Sequence, residues 1–243
     1  MLRISFWQKF LDGVPEYLAR HYWWAYLWRP AIWFFDHQPI INLILFGQYK
    51  RLMTQTLQCL ENRPAGRMLQ LTCVYGKLTP AVLEVPGNQP MYLIDVVTAQ
   101  IQASCSKLAP ARRAQLLPVR MNAESLAFQD NSFSTVLIFF LMHEMPTAAR
   151  QRTLAETVRV LQPGGRLVIT EYDEEPCNHW IYRRHWLRKQ LLFWEPFLED
   201  FWREDLSALL QQEAHRQGKA LQQVERHPVF DGFYRVLVYE MDA

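Results

Sequence analysis

The chain has 243 residues, half of them hydrophobic and 21% charged, enough to bury one core of ordinary size with a substantial appendage and too apolar for intrinsic disorder. Twenty-six Lys and Arg against 24 Asp and Glu leave a formal charge of +2, which excludes the whole-chain basic footprint of a nucleic-acid binder. Cys59, Cys73, Cys105 and Cys177 stand too far apart for a metal knuckle or a CxxC pair, and a chain of this size does not depend on disulfides, so they read as reduced thiols.

Aromatic residues divide the chain. It holds 14 Phe, 10 Tyr and 9 Trp, with fourteen of these rings in residues 1–50. Trp7, Trp23, Trp24, Trp28 and Trp33 stand in front, Trp180, Trp186, Trp194 and Trp202 stand late, and no Trp lies between 34 and 179. The front, residues 1–61, is expected to form a helical, aromatic, membrane-proximal segment. Its least charged stretch, His37 to Tyr49, is shorter than the roughly 20 apolar residues of a spanning helix, and Lys9, Asp12 and Glu16 interrupt a secretory signal. YWWAYLWRPAIWFF suits either an interfacial surface or a cap with buried rings.

Residues 62–243 form the second unit. MLQLTCV, PMYLIDVV, QLLPVRM, FSTVLIFFLM and GRLVITEY read as strands of nearly continuous apolar character. Between them, Thr79 is expected to cap a short helix opened by Pro80. Residues 147–161 place Ala148, Leu154, Thr157, Val158 and Leu161 on one stripe, ended by Pro163-Gly164-Gly165. Alternating strands and helices predict an α/β fold with a mostly parallel sheet covered on both faces. A helical insertion is expected at about 177–217, where Arg183, Arg184, Arg188 and Lys189 lie beside Trp180, Trp186 and Trp194. That mixture suits a helix against anionic headgroups, or a solvated basic face. LQQVERHPVF and DGFYRVLVYEM then form a β-hairpin turned at Asp231-Gly232.

Ligands of such sheets bind at the strands' carboxyl ends. After the first strand comes Gln70-Leu71-Thr72-Cys73-Val74-Tyr75-Gly76, with one of the three glycines a dinucleotide fold uses, so nicotinamide or nucleotide-phosphate binding is disfavoured. Asp95 ends the second strand, where a carboxylate accepts ribose hydroxyls or starts the next helix. Tyr75 lines the cleft or sits on a surface loop. His143 and Glu144 serve as a base or ligand contact, or as structural groups. Asp173, Glu174, Glu175 and His179 hold a hard ion or form a solvated acidic loop.

The order of residues 68–171, with Asp95, Asn122-Ala123 and the Leu161-Gln-Pro-Gly-Gly165 turn, resembles the class I S-adenosylmethionine-dependent methyltransferases, seven-stranded and Rossmann-like, and within them the quinone-ring branch. LTCVYGKLTP together with LILFGQYKRL resembles a methyltransferase-like family of rhodoquinone biosynthesis. That resemblance implies conversion of ubiquinone to rhodoquinone, a ring methoxy group giving way to an amino group drawn from S-adenosylmethionine, with manganese as helper ion. It implies cofactor contacts from Gln70, Thr72, Val74, Tyr75, Gly76, Asp95, Val96, Asn122 and Ala123, substrate contacts from Tyr49, His143 and Tyr172, and catalytic roles for Tyr75 and His143. It departs from the usual acid-x-Gly-x-Gly-x-Gly loop at Gln70, Thr72, Val74 and Tyr75, and Ser134 replaces the usual Asp before the fourth strand. A loop without its carboxylate is expected to favour the neutral amine of the cofactor. A conventional methyltransferase of a quinone or lipid, and a non-catalytic scaffold, are the other readings. The expected setting is peripheral, on the cytoplasmic face of the inner membrane, with membrane-dissolved ubiquinone as substrate and no nucleic-acid partner; metal ligands and oligomeric state are not legible.

Overall fold

The computed structural model describes residues 13–87 and 90–242; Trp7, Lys9 and Asp12 lie outside the described residues. A seven-stranded sheet runs β1 (Met68–Leu71), β2 (Met91–Asp95), β3 (Leu116–Arg120), β4 (Phe133–Phe139), β5 (Leu161–Tyr172), β6 (Leu221–Val229) and β7 (Tyr234–Met241). Their spatial order is β3-β2-β1-β4-β5-β7-β6. The first five are parallel, whereas β7 is antiparallel to both β5 and β6. Every residue of β1 and β4 is buried, as expected of central parallel strands covered on both faces. Pro118 sits in β3 at the sheet edge, where a missing backbone donor is tolerated. The hairpin turns through Phe230, Asp231 and Gly232, all with positive φ.

Four short elements open the described chain: α1 (Glu16–His21), a π-helical turn (Trp23–Leu27), α2 (Arg29–Phe35) and α3 (Gln38–Ile44). Helix α4 (Tyr49–Glu61) follows and buries Tyr49, Leu52, Thr56, Cys59 and Leu60, spaced to form one stripe of a 3.6-residue helix. That stripe joins the main core, with Thr56 Oγ1 2.6 Å from Thr170 Oγ1 of β5. The last helix of the aromatic front thus packs on the sheet itself. Helices α5 (Leu78–Glu84), α6 (Thr98–Ser106), α7 (Pro110–Arg113) and α8 (Thr147–Val160) make the crossovers, and α9 (Trp180–Arg183), α10 (His185–Trp194), α11 (Leu198–Trp202) and α12 (Leu206–Arg216) form the insertion before the hairpin.

Three local expectations are corrected. Helix α5 begins at Leu78, so Thr79 is not its cap; its hydroxyl accepts from Gln70 Nε2 at 3.0 Å. The buried stripe of α8 runs through Ala149, Arg150, Thr153, Leu154, Thr157 and Val158, and Ala148 is exposed, because the helix is rotated to bring Arg150 inward. Pro163-Gly164-Gly165 does not separate helix from strand: it lies inside β5, where pairing with β4 shifts register between Phe133↔Leu161 and Thr135↔Arg166, the signature of a bulge.

Candidate active site

Strand order reverses between β1 and β4, and a cleft opens there beyond the strands' carboxyl ends, the usual ligand position in such sheets. Thr72, Cys73 and Val74 line it from the first loop, Asp95 and Val96 from the second, and Asn122 and Ala123 from the third. Asp95 is buried; its Oδ2 accepts from Cys73 N at 3.1 Å and its Oδ1 from Val97 N at 2.8 Å. Burial pushes this carboxyl up to about 6, with the backbone donors pulling the other way. A carboxylate oxygen has two lone pairs, so each oxygen keeps acceptor capacity for a ribose hydroxyl.

Gln70 and Gly76 do not line the cleft. Gln70 is fully buried beneath the loop, donating through Nε2 to Thr72 O at 2.9 Å and to Thr79. It is a loop strut, which corrects the expectation that it touches the cofactor: its amide nitrogen is spent on Thr72 O and Thr79 Oγ1. Gly76 is held with φ +80°, and a Cβ there would stand 2.5 Å from Tyr49 Oη, a position only glycine fills without a clash. Its N–H donates to Asp36 Oδ1 at 2.8 Å, and Lys107 Nζ bridges Asp36 to the carbonyl oxygens of Val74 and Gly76.

Tyr49 lines the cleft, but its hydroxyl serves the backbone, accepting from Lys77 N at 2.7 Å and Leu78 N at 3.0 Å and donating to Tyr75 O at 3.2 Å. It supplies an acceptor to the orphan N–H donors at the start of α5. Tyr75 reaches across the cleft. Its hydroxyl donates to Ala25 O at 2.6 Å and accepts from Gln100 Nε2 at 2.9 Å, while its ring stacks on Tyr26 with centroids 5.7 Å apart and planes at 13°.

On the opposite wall, a 3-10 turn (Met142–Glu144) after β4 presents His143 and Glu144. The His143 Nδ1 lies 2.9 and 3.0 Å from the two oxygens of Glu171, a fully buried carboxylate that also accepts from the N–H groups of Met142 and Tyr172. Burial alone would lower the imidazole; the carboxylates of Glu171, Glu195 and Glu144 overturn that and raise it to about 9. Burial pushes Glu144 up to about 8, opposed by His143. Tyr26 Oη donates to Glu144 and Tyr22 Oη to Glu195 Oε2 at 3.0 Å. Arg150, buried in α8, fastens the turn from below: Nε donates to Met142 O at 2.9 Å, Nη2 to Met145 O at 2.8 Å, and Nη1 pairs with Glu204. Tyr172 closes this wall edge-on to His143, centroids 4.7 Å apart.

The acidic loop after β5 is not a set of open ligands: Asp173 and His179 are buried, and Glu174 and Glu175, though exposed, are partnered. Asp173 and Glu174 pair with Arg226 and Arg235, Tyr182 donates to Glu175, and His179 Nδ1 accepts from Ile181 N to cap α9. The arginines of the hairpin neutralise the carboxylates that an ion would need, which corrects that expectation. Ser134 is buried and donates to Arg67 O at 3.0 Å, away from the cleft.

The two Trp-rich flanks meet over this cleft. Trp24 packs edge-on to Trp194 at 5.0 Å, and Tyr17 to Phe197 at 6.1 Å. Segregation of the tryptophans signalled that meeting; nothing in the sequence singled out Tyr22, Tyr26, Glu171, Glu195 or Arg150.

Residues 68–165 match the methyltransferase-domain family. A ubiquinone/menaquinone biosynthesis C-methyltransferase of Vibrio cholerae is 30% identical over 138 residues, covering 56% of this chain and 52% of that protein. A demethylmenaquinone methyltransferase of Bacillus cereus is 25% identical over 141 residues, 57% of this chain and 59% of the relative. The chain thus spans about half the length of these curated relatives. Among solved structures, the 1,6-didemethyltoxoflavin-N1-methyltransferase of Burkholderia thailandensis, with bound S-adenosylhomocysteine, shares the fold at TM-score 0.55 and 15% identity, with 88% of this chain and 87% of that one covered. Sheet order and cleft position give the chain the class I methyltransferase-like fold, with the methyltransferase-domain match confined to residues 68–165.

Proposed function

We propose that the protein acts on the ring of a membrane-dissolved quinone, converting ubiquinone to rhodoquinone. The observation that carries this reading is the Tyr75–Tyr26 stack across the cofactor cleft. A large ring, held at its hydroxyl by Ala25 and Gln100, occupies the loop where the fold ordinarily carries small residues. When bound, S-adenosylmethionine would supply the nitrogen: the methoxy group would leave as methanol, the quinone would take the two electrons of the cofactor's Cα–N oxidation to an imine, and water would release the aminated ring from the resulting 2-oxo acid. Asp95 holds the ribose hydroxyls. The aromatic walls from Tyr26, Phe35, Tyr75 and Tyr172 exclude water and offer flat faces to a flat ring. An apolar, water-poor wall also favours the neutral, nucleophilic form of an amine. His143 and Glu144 face the ring oxygen from the β4 side.

The substrate's isoprenoid tail requires a route from lipid. Among the described residues no helix is long and apolar enough to cross a membrane. Instead, the two flanks expose Trp28, Trp33 and Leu43 on one side and Trp186, Phe193 and Trp194 on the other, beside exposed Arg183, Arg184 and Lys189. Basic side chains among interfacial aromatics suit an anionic lipid surface, and the roofed cleft beneath them receives the quinone head.

Incubating the protein with liposomal ubiquinone and S-adenosylmethionine labelled with nitrogen-15 on its amine tests the reaction by mass spectrometry. The expected product is an aminoquinone carrying the label. A product that instead gains the cofactor's methyl group establishes conventional methyl transfer, the activity in the relatives' names, and overturns the amino-transfer reading.

A further inference from the structure

We infer that His143, Glu144 and Glu195 form a divalent-cation site on the wall of the cleft, with the ion's remaining positions facing an oxygen of the ring substrate. That substrate clause rests on the quinone reading above; the site itself does not.

One donor atom from each of the three residues lies within 4.8 Å of the others, and all three side chains line the cleft. The set is not merely acidic. His143 is 3% exposed, its Nδ1 is consumed by Glu171, and its Nε2 has no hydrogen bond among the described residues. The nearest charged group to Nε2 is Glu195 Oε2 at 3.7 Å, beyond hydrogen-bond reach. A carboxylate on one ring nitrogen fixes the tautomer and aims the other nitrogen's lone pair at an ion, the usual support of a metal-ligating histidine. The carboxylates have matching supports: Tyr26 donates to Glu144 and Tyr22 to Glu195, leaving the second oxygen of each without a hydrogen bond among the described residues.

One imidazole nitrogen and two carboxylate oxygens, with positions open to the cleft, suit a manganese-, iron- or zinc-like ion and disfavour soft copper(I). A second described cluster, Cys59, Glu225 and His227, lacks this preparation, since Glu225 and His227 are paired with each other at 2.8 Å and neither borders the cleft. An ion held by His143, Glu144 and Glu195 polarises a substrate oxygen as a Lewis acid.

The test titrates Mn2+ into the full chain without quinone, following the free-ion signal by electron paramagnetic resonance. The wild type is expected to take up one Mn2+ per chain. Glu144→Gln with Glu195→Gln should weaken uptake at least tenfold with circular dichroism unchanged, while Glu174→Gln and His227→Ala bind as the wild type does. Electron spin-echo modulation from a coordinated imidazole nitrogen is expected in the wild type, a readout that needs no variant to fold. No uptake at millimolar Mn2+, undiminished uptake by the double variant, or bound Mn2+ without nitrogen modulation overturns the site. Mn2+ bound here by a protein that forms no aminoquinone overturns the quinone reading alone. Labelled aminoquinone formed by protein that binds no Mn2+ overturns the site alone.

Discussion

Tyr22 Oη lies 3.0 Å from Glu195 Oε2, a hydrogen bond that spans 173 positions of sequence and ties the aromatic front to the helical insertion at the wall of the cleft. Tyr22 is 2% exposed, so the bond is shielded from water and the carboxylate has little solvent to turn to. Tyr22→Phe leaves a buried acceptor short of a donor, and should lower unfolding free energy by about 1–3 kcal/mol. Chemical denaturation checks the loss, and faster proteolysis near residues 20–30 is expected as the front detaches.

Asp95 is expected to give cofactor affinity its acid limit. Its folded carboxyl titrates near 6, above the ordinary carboxylate value, because burial disfavours the anion. The sign for stability follows: below about 4 both states are protonated, and between about 4 and 6 the unfolded chain ionises first, so the ligand-free fold loses stability as pH rises through that window. Ribose binding has the opposite sign, since the anion is the better acceptor. Calorimetry with S-adenosylhomocysteine should show affinity flat above about pH 7, falling toward tenfold per unit below about 6. Asp95→Ala should abolish that dependence and bind more weakly than Ser134→Ala, whose side chain only bonds Arg67 O and Pro64 O.

Gln70→Glu places a carboxylate oxygen against Thr72 O, where the amide now donates at 2.9 Å. The expected result is a looser loop, with stability lower by about 1–3 kcal/mol. Thermal unfolding measures the cost. A shifted pH–activity profile at unchanged stability would instead revive a direct action of residue 70 on the cofactor's amine.

Arg150→Met removes the fastening beneath the 3-10 turn. The guanidinium is fully buried, bonds two carbonyl oxygens and pairs with Glu204. Stranding those acceptors should cost about 3–5 kcal/mol. The double variant Arg150→Met with Glu204→Leu should recover part of it in denaturant melts, because the unpaired carboxylate is then gone.

Trp186→Ser with Phe193→Ser alters side chains that are 62% and 71% exposed, so the fold should keep its melting temperature. Binding to liposomes containing anionic lipid should weaken about tenfold or more in flotation assays, since each ring carries on the order of 1–2 kcal/mol of apolar burial. Equal flotation would remove α10 from the membrane face.

The sheet was legible because buried parallel strands write themselves as apolar runs, and Asp95, Asn122 and His143 were legible because each follows such a run at a ligand-bearing end. What stayed hidden is tertiary. Glu171 looks like any strand residue until its carboxylate meets His143 from the neighbouring strand's turn. Glu195 and Tyr22 acquire their roles only through each other. Gln70 stands where an acid is usual, yet its direction is set by Thr72 and Thr79, which composition does not encode. On α8 the expected stripe holds at Leu154, Thr157 and Val158 and misses at Ala148, because Ala149 and a buried Arg150 with three partners take that end of the face.

The Tyr22–Glu195 bond and the Trp24–Trp194 contact also impose an order on assembly. At about 5–20 residues per second of synthesis, the first helices emerge roughly 10–35 s before the segment that covers them. Throughout that interval Tyr22 and Trp24 lack Glu195 and Trp194 and have only the nearby rings of Tyr26 and Phe35 beside them. Those rings are the apolar surface the nascent chain leaves uncovered until the insertion arrives and closes the cleft.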